Sequence, residues 1–169
     1  GNFDIPAQLN VGVAFKPIPK LTLVADWQRI FYGDIDALNN SNSTAPNSPD
    51  TLLGADNGLG FGWDSINVYK IGVNYEINDK FAIRAGYSHT DAPFDGANAL
   101  FNVLAPATIE DHVSVGFSYQ FNENNGLVFA YTRALDNKID GESPEFTGPQ
   151  TGNVRMEQNI IDLGWNYRF

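Results

Sequence analysis

The chain of 169 residues contains no cysteine, one methionine and two histidines. Without cysteine there is no disulfide framework and no thiolate metal site. Positive charge is also scarce: 10 Lys and Arg against 20 Asp and Glu give a formal net charge of -10 and a pI near 4.4. That balance excludes a nucleic-acid partner, whose phosphates call for a basic face. No apolar run approaches the ~18 to 20 residues of a membrane-spanning helix, which excludes a helical membrane protein. A spanning strand needs only about 9 to 11 residues with alternate side chains facing lipid, so a transmembrane β-barrel stays open. The start, Gly-Asn-Phe-Asp, has no charged and apolar leader; the chain reads as an excerpt whose signal peptide has been removed or lies upstream. Its length is that of roughly one domain.

What the chain does have is alternation. At its end Ile161, Leu163, Trp165, Tyr167 and Phe169 fall on one side, and Asp162, Gly164, Asn166 and Arg168 on the other. Successive strand side chains point to opposite faces, so this ending presents an aromatic and aliphatic stripe opposite a small and polar one. A stripe stopping on a C-terminal phenylalanine is the usual finish of a bacterial outer-membrane β-barrel. Seven segments read as strands, at about 7–16, 20–32, 64–77, 80–90, 109–121, 126–135 and 154–169, and no helical period competes with them. In the third, for example, Tyr69, Ile71, Val73, Tyr75 and Ile77 oppose Lys70, Gly72, Asn74 and Glu76.

The connections alternate between short and long. Short ones, at 16–20, 78–79 and 122–125, are rich in turn formers; long ones cover roughly 33–62, 91–108 and 136–153. Outer-membrane barrels pair short periplasmic turns with long extracellular loops. Outward aromatics fall into two belts: Phe15, Tyr75, Phe81, Phe121, Tyr167 and Phe169 near the short turns, and Trp27, Tyr69, Tyr87 and Tyr131 near the long loops. Rings concentrate at both membrane interfaces, whereas the core of a soluble sandwich or lipocalin-like barrel, the alternative fold, would place them centrally. In this register Lys70, Arg84, Asp26 and Asp162 turn inward, and a slip of one residue would put them on the lipid face, where Arg or Lys at the midplane costs about 2–4 kcal/mol. Seven strands in up-and-down order cannot close antiparallel, because the first and last run the same way. The sheet therefore expects the rest of its own barrel or, as a second arrangement, another chain.

Several motifs invite chemistry. His112 and Ser114 in Glu110-Asp111-His112-Val113-Ser114 share a strand face, as in a hydrolase, but no third orienting group is identifiable and a polar lumen lining near the extracellular end is the better account. Asp136-Asn-Lys-Ile-Asp-Gly-Glu142 starts like a calcium loop, yet Lys138 occupies a ligand position and Thr147 stands where a bidentate Glu belongs, so it reads as an ordinary acidic loop. Gly58-Leu-Gly60-Phe-Gly62 has no following helix and reads as a flexible loop, not a dinucleotide fingerprint. Asn39-Asn-Ser-Asn-Ser-Thr44 is low-complexity and solvated.

Gly60-Phe-Gly-Trp-Asp-Ser-Ile-Asn-Val-Tyr-Lys-Ile-Gly-Val-Asn-Tyr75, Asn78-Asp-Lys-Phe-Ala-Ile-Arg-Ala-Gly-Tyr-Ser88, Asn102-Val-Leu-Ala-Pro106, Ala130-Tyr131 and Asn166-Tyr-Arg-Phe169 resemble the C-terminal part of the FadL-type outer-membrane transporters. The resemblance implies an all-β, transmembrane antiparallel barrel of about 14 strands. Residues 1–169 would supply about seven of its C-terminal strands, without the N-terminal plug and first strands. It also implies passive transport of long-chain fatty acids or aromatic hydrocarbons across the bacterial outer membrane, with no enzymatic activity, no cofactor and no metal. The alternatives are a polar-solute porin and an outer-membrane lipid hydrolase.

Within that picture, Lys70, Arg84, His112, Asp26 and Asp162 are the candidate lumen-lining residues. Lys70 and Arg84 would attract a carboxylate or, more in keeping with such residues, join charge networks with Glu76, Asp26 or Asp162. Leu59, Phe61, Phe94, Phe101 and Leu104, with Leu52, Leu53, Leu100 and Val103, either form a greasy collecting surface or pack the loops over the mouth. Trp165, Tyr167 and Phe169 read as a signal for the barrel assembly machinery. The other expected partners are apolar cargo, outer-membrane lipid and lipopolysaccharide, and the N-terminal half of the barrel.

Overall fold

The computed structural model describes residues 4–42, 55, 58–142 and 150–169. Its strands are β1 (Gln8–Ile18), β2 (Leu21–Ile30), β3 (Ile66–Asn78), β4 (Phe81–Thr90), β5 (Asp111–Gln120), β6 (Asn125–Glu142) and β7 (Thr151–Tyr167). They form one seven-stranded antiparallel sheet in sequence order, a partial barrel. Among the described residues helix is confined to the long connections, as one short α-helix, α1 (Asp36–Asn39), and the 3-10 turns Tyr32–Asp34 and Phe101–Leu104.

Asparagine side chains build two of the short turns. Asn78 Oδ1 accepts from the amides of Lys80 and Phe81 at 2.9 and 3.0 Å, and Asn122 Oδ1 accepts from those of Asn124 and Asn125 at 3.0 and 2.9 Å. Such bonds close a turn by standing in for a backbone partner. In the first turn β1 runs past Lys16 and Pro17 to Ile18; Pro17, which lacks an amide proton, sits where the register shifts between Phe15 and Ile18.

Pairing sorts the side chains as alternation predicts. Gly12, Asp26, Lys70, Ser88 and His112 stand opposite one another in one row, and Thr22, Asn74, Arg84, Gly116, Ala130 and Asp162 in another. These rows belong to the inner face. Outward lie the large exposed apolar groups, including Val11, Val13, Ile71, Ile83, Val115, Leu163 and Trp165. At the short-turn end their rings form cross-strand contacts: Phe117 stacks on Phe129 at 5.4 Å, Phe121 stacks on Trp165 at 5.3 Å, and Phe81 meets Tyr119 at 6.2 Å. Pairs of this kind contribute about 0.5–1.5 kcal/mol beyond area burial.

One long connection differs from expectation. β6 continues through Asp136–Glu142, so the segment read as an acidic loop is strand, and β7 begins at Thr151. The reason is a bulge: Ala134 pairs with Gln158 and Asn137 with Met156, which leaves Leu135 and Asp136 opposite Glu157 alone. The extra residue shifts the phase of the pattern, so alternation fades although pairing continues. Beyond the bulge Ile139 pairs with Val154, on the inner side. Thr147 lies outside the described residues.

Candidate functional site

Of the candidate lumen residues, Lys70, His112 and Arg84 line two recesses of the inner face. Nearer the long loops, a recess of about 540 Å³ has Ile30, Ile66 and Val68 on one side and Lys70, Ser88 and His112 on the other. Nearer the short turns, a more polar one of about 290 Å³ includes Asn74, Glu76, Arg84, Ser118 and Asn166.

Lys70 and Arg84 do not join the charge networks expected of them. Lys70 Nζ donates to Gln28 Oε1 at 3.1 Å, and an Arg84 guanidinium nitrogen donates to Ser118 Oγ at 3.2 Å. The ion pairs among the described residues are His89–Asp111, Arg133–Glu157, Lys138–Asp140 and Arg155–Asp136. Although Asp26 stands opposite Lys70, its carboxylate lies over Gly12, where the missing side chain leaves room. Asp162 stands opposite Ala130, three strands from Arg84. Neutral partners hold both cations, and the nearest acid, Asp26, is turned to Gly12 instead.

His112 and Ser114 both face inward and are not hydrogen-bonded to each other; Ser114 Oγ donates to the Gly86 carbonyl at 3.4 Å. The histidine that does pair with a carboxylate is His89, on the outer face, with Nδ1 2.8 Å from Asp111 Oδ1. Asp111 also accepts from the Tyr87 hydroxyl at 2.5 Å. Two further clusters lie along the same outward line. Asn67 Oδ1 accepts from Trp27 Nε1 at 3.3 Å and from Arg29 at 3.2 Å, while Asp91 holds the Asn67 amide at 2.9 Å. Tyr131 donates to Asn159 Oδ1 at 2.6 Å, and Arg133 pairs with Glu157. Each cluster begins just above a ring of the upper aromatic belt, and together they form a polar line at the long-loop end of the sheet. Sequence reasoning missed this line; the signal was the odd numbering shared by Arg29, His89, Asp111 and Arg133 with the outward aromatics.

Over the inner face the described parts of the long connections fold into a cap. Phe94, Ala99 and Val154 are buried together, with Trp63, Ala107 and Ile139 packed against them. Phe61 lies 5.9 Å from Trp63 and 5.4 Å from Phe101 by ring centroids, and Trp63 meets Tyr32 edge-on at 5.1 Å. Burial holds the Tyr32 hydroxyl above its ordinary pKa. Asn102, wholly buried, accepts from Trp63 Nε1 at 2.6 Å and donates to the Phe61 and Asn98 carbonyls. Gly62 has φ +67°, and a Cβ there would strike the Asn98 side chain; one at Gly60 would strike Asn40. The glycine run is therefore a place of tight packing and not a flexible loop. Of the apolar loop candidates, Phe61, Phe94 and Phe101 pack the cap, Leu59 is half-buried, and Leu104 is 74% exposed beside Val103 at 61%. Leu52 and Leu53 lie outside the described residues. At the chain end Trp165 stacks on Phe121, Tyr167 meets Phe169 edge-on at 5.2 Å, and Phe169 is fully exposed.

Comparison with known proteins bears on the whole chain. No curated protein sequence matches it. Among solved structures, the toluene transporter TodX of Pseudomonas putida superposes with a TM-score of 0.67 at 21% identity, over 99% of this chain and 36% of that one. A TodX deltaS2S3 mutant, a monoaromatic hydrocarbon channel, gives 0.64 at 22% identity over 98% and 36%. CymD, also a monoaromatic hydrocarbon channel, gives 0.61 at 18% identity over 99% and 37%. At these identities the likeness shows the fold, and the chain spans little more than a third of each neighbour's length. The model of the family described as outer membrane protein transport protein (OMPP1/FadL/TodX) matches residues 2–169, and the chain belongs to that outer-membrane family.

Proposed function

We propose that these residues form the C-terminal part of a barrel of about 14 strands that passes hydrophobic small molecules, long-chain fatty acids or aromatic hydrocarbons, passively across the outer membrane. The observation that carries this reading is the apolar content of the inner face. Val24, Ile30, Ile66, Val68, Val128 and Ile160 share rows with the lumenal polar residues. A polar-solute porin keeps a water-filled polar interior, in which such a shelf has no use. For apolar cargo the shelf offers burial worth roughly 25 cal/mol per Å² removed from water. Exposed Val103 and Leu104 extend an apolar surface to the extracellular side.

Energy coupling has no part in this scheme: cargo moves down its gradient between weak apolar sites. Uptake of a labelled fatty acid and a labelled alkylbenzene is to be compared in cells with and without the full gene. Loss of uptake of at least one is expected, and unchanged uptake of every apolar cargo would overturn the reading. Ion conductance in planar bilayers separates the porin alternative, which predicts a large steady current.

A further inference from the structure

The lipid side of the sheet also has a built feature. On the outward face of β3 to β5, Ile71, Tyr87, Val113 and Val115 wall a groove floored by Ala85 and the backbone at Gly86, with a volume of about 540 Å³ and an almost wholly apolar lining. The outward row of Ile71, Tyr87 and Val113 walls one side, Val73 and Val115 flank the small Ala85 in its own row, and the depression lies between them. Its extracellular end is polar. Tyr87, a wall of the groove, donates upward to Asp111, which also holds His89. Arg133 stands directly opposite Val113, the next wall.

Charge at this end is unevenly used. The acids are engaged by neighbours: Asp111 by Tyr87 and His89, Glu157 by Arg133. The cations keep donors in reserve. Arg133 gives a hydrogen bond from one guanidinium nitrogen, which leaves most of its fork free, and His89 uses one ring nitrogen of two. Apolar groove and spare cationic donors together fit an amphiphile with an apolar chain and an acceptor-rich anionic head. The groove meets its polar end on the side of the long loops, which in this family's architecture is the outer leaflet.

We infer that the groove holds one phosphorylated glycolipid of the outer leaflet, of the lipopolysaccharide type, with an acyl chain over Ala85 and a phosphate at His89 and Arg133. This goes beyond the transport reading and does not depend on the cargo. It needs only the outer-membrane placement, so failure of either leaves the other standing.

The test uses the full-length protein in detergent, with bound lipid counted by native mass spectrometry. Bisphosphorylated lipid A and its dephosphorylated form serve as probes. Wild type is expected to retain one lipid A and to bind the dephosphorylated form about tenfold more weakly, the loss typical of a charge-assisted contact. His89→Gln with Arg133→Gln should erase that preference, while Ala85→Phe, which fills the groove, should weaken both forms about tenfold. Val113→Phe fills the same groove from the next strand, should Ala85→Phe fail to give a heat-modifiable barrel. Equal retention of both forms by wild type, or a preference unchanged in the His89/Arg133 variant, would overturn the proposal. So would displacement of lipid A by equimolar inorganic phosphate, or a dimer that dissociates when the groove is filled, which would assign the groove to a second copy.

Discussion

Ala85 points outward from the middle of β4, across from Val73 and Val115, while Gly86 points inward across from Gly72 and Ser114. A cation at the first position meets lipid and costs about 2–4 kcal/mol at the midplane. At the second, a new side chain asks only that the Ser114 hydroxyl, 2.9 Å from where a Cβ would sit, rotate aside. Ala85→Arg is therefore expected to reduce the heat-modifiable species on cold gels much more than Gly86→Ser; equal losses would contradict the register. Lys70 offers a second contrast. Its ammonium is held by one neutral amide and makes no ion pair among the described residues, so a cargo carboxylate meets a cation with its charge unpaired. Lys70→Met should slow uptake of a fatty acid about tenfold, as expected for a lost charged hydrogen bond, and leave a neutral alkylbenzene unaffected. Which residues share a face was readable from period two, since Lys70, Arg84, Asp26 and Asp162 fall in the rows their numbering requires. Which partner each takes was not, because Gln28, Ser118 and Gly12 sit on other strands and only pairing brings them near.

Among the elements, β6 and β7 depart furthest from their sequence pattern, and the bulge at Leu135 and Asp136 is the cause. Past it Arg155 forks onto Asp136, Nε to Oδ1 at 2.5 Å and a terminal nitrogen to Oδ2 at 2.8 Å. Those hydrogen bonds, more than the charge itself, hold the Asp136 carboxyl below the ordinary carboxylate pKa. A carboxyl lowered on folding contributes stability above its unfolded pKa and loses it as pH falls through the lower folded value. Hydrogen exchange at Lys138 to Gly141 should therefore stay slow at pH 5 and quicken only below the ordinary carboxylate range; in Arg155→Gln it should be fast at both. Phe94 joins the hairpin to the loop between β4 and β5 through Val154 and Ile139. Phe94→Ala is expected to cost the cap about 3–5 kcal/mol, read as faster proteolysis of the extracellular loops with heat-modifiability retained. The strands were legible as far as their alternation runs unbroken, which in β6 is up to the bulge. The cap was not, since its order comes from contacts such as Trp63 to Asn102 and Gly96 against Gly141, which join segments far apart in the chain.

At the level of the whole molecule, the seven strands share one sidedness, with short turns at one end and cap and polar line at the other. The upper aromatics step down the rows from Trp27 and Tyr69 to Tyr87 and then Tyr131, as strands tilted against the membrane demand. Among the described residues β1 and β7 each pair on one side only. A bilayer does not tolerate unpaired backbone groups, so both edges need partners. Refolded by itself in detergent, the seven-strand chain is expected to give no heat-modifiable monomer, and addition of the upstream strands as a separate chain should restore one. A closed monomer from this chain alone would refute that expectation.

The bulge also bears on how such a chain can vary between descendants. The ladder on the short-turn side ends on Ala134 and Gln158, and the ladder on the long-loop side resumes on Asn137 and Met156. One residue or two between them leaves every pair on both sides intact. A single-codon deletion at position 135 or 136 is thus absorbed as a straightened strand, with Ile139 still over the mouth, whereas the same deletion between residues 127 and 133 would send β6 side chains to the wrong face. Inherited length changes have a safe place to settle, at the joint between the two ladders.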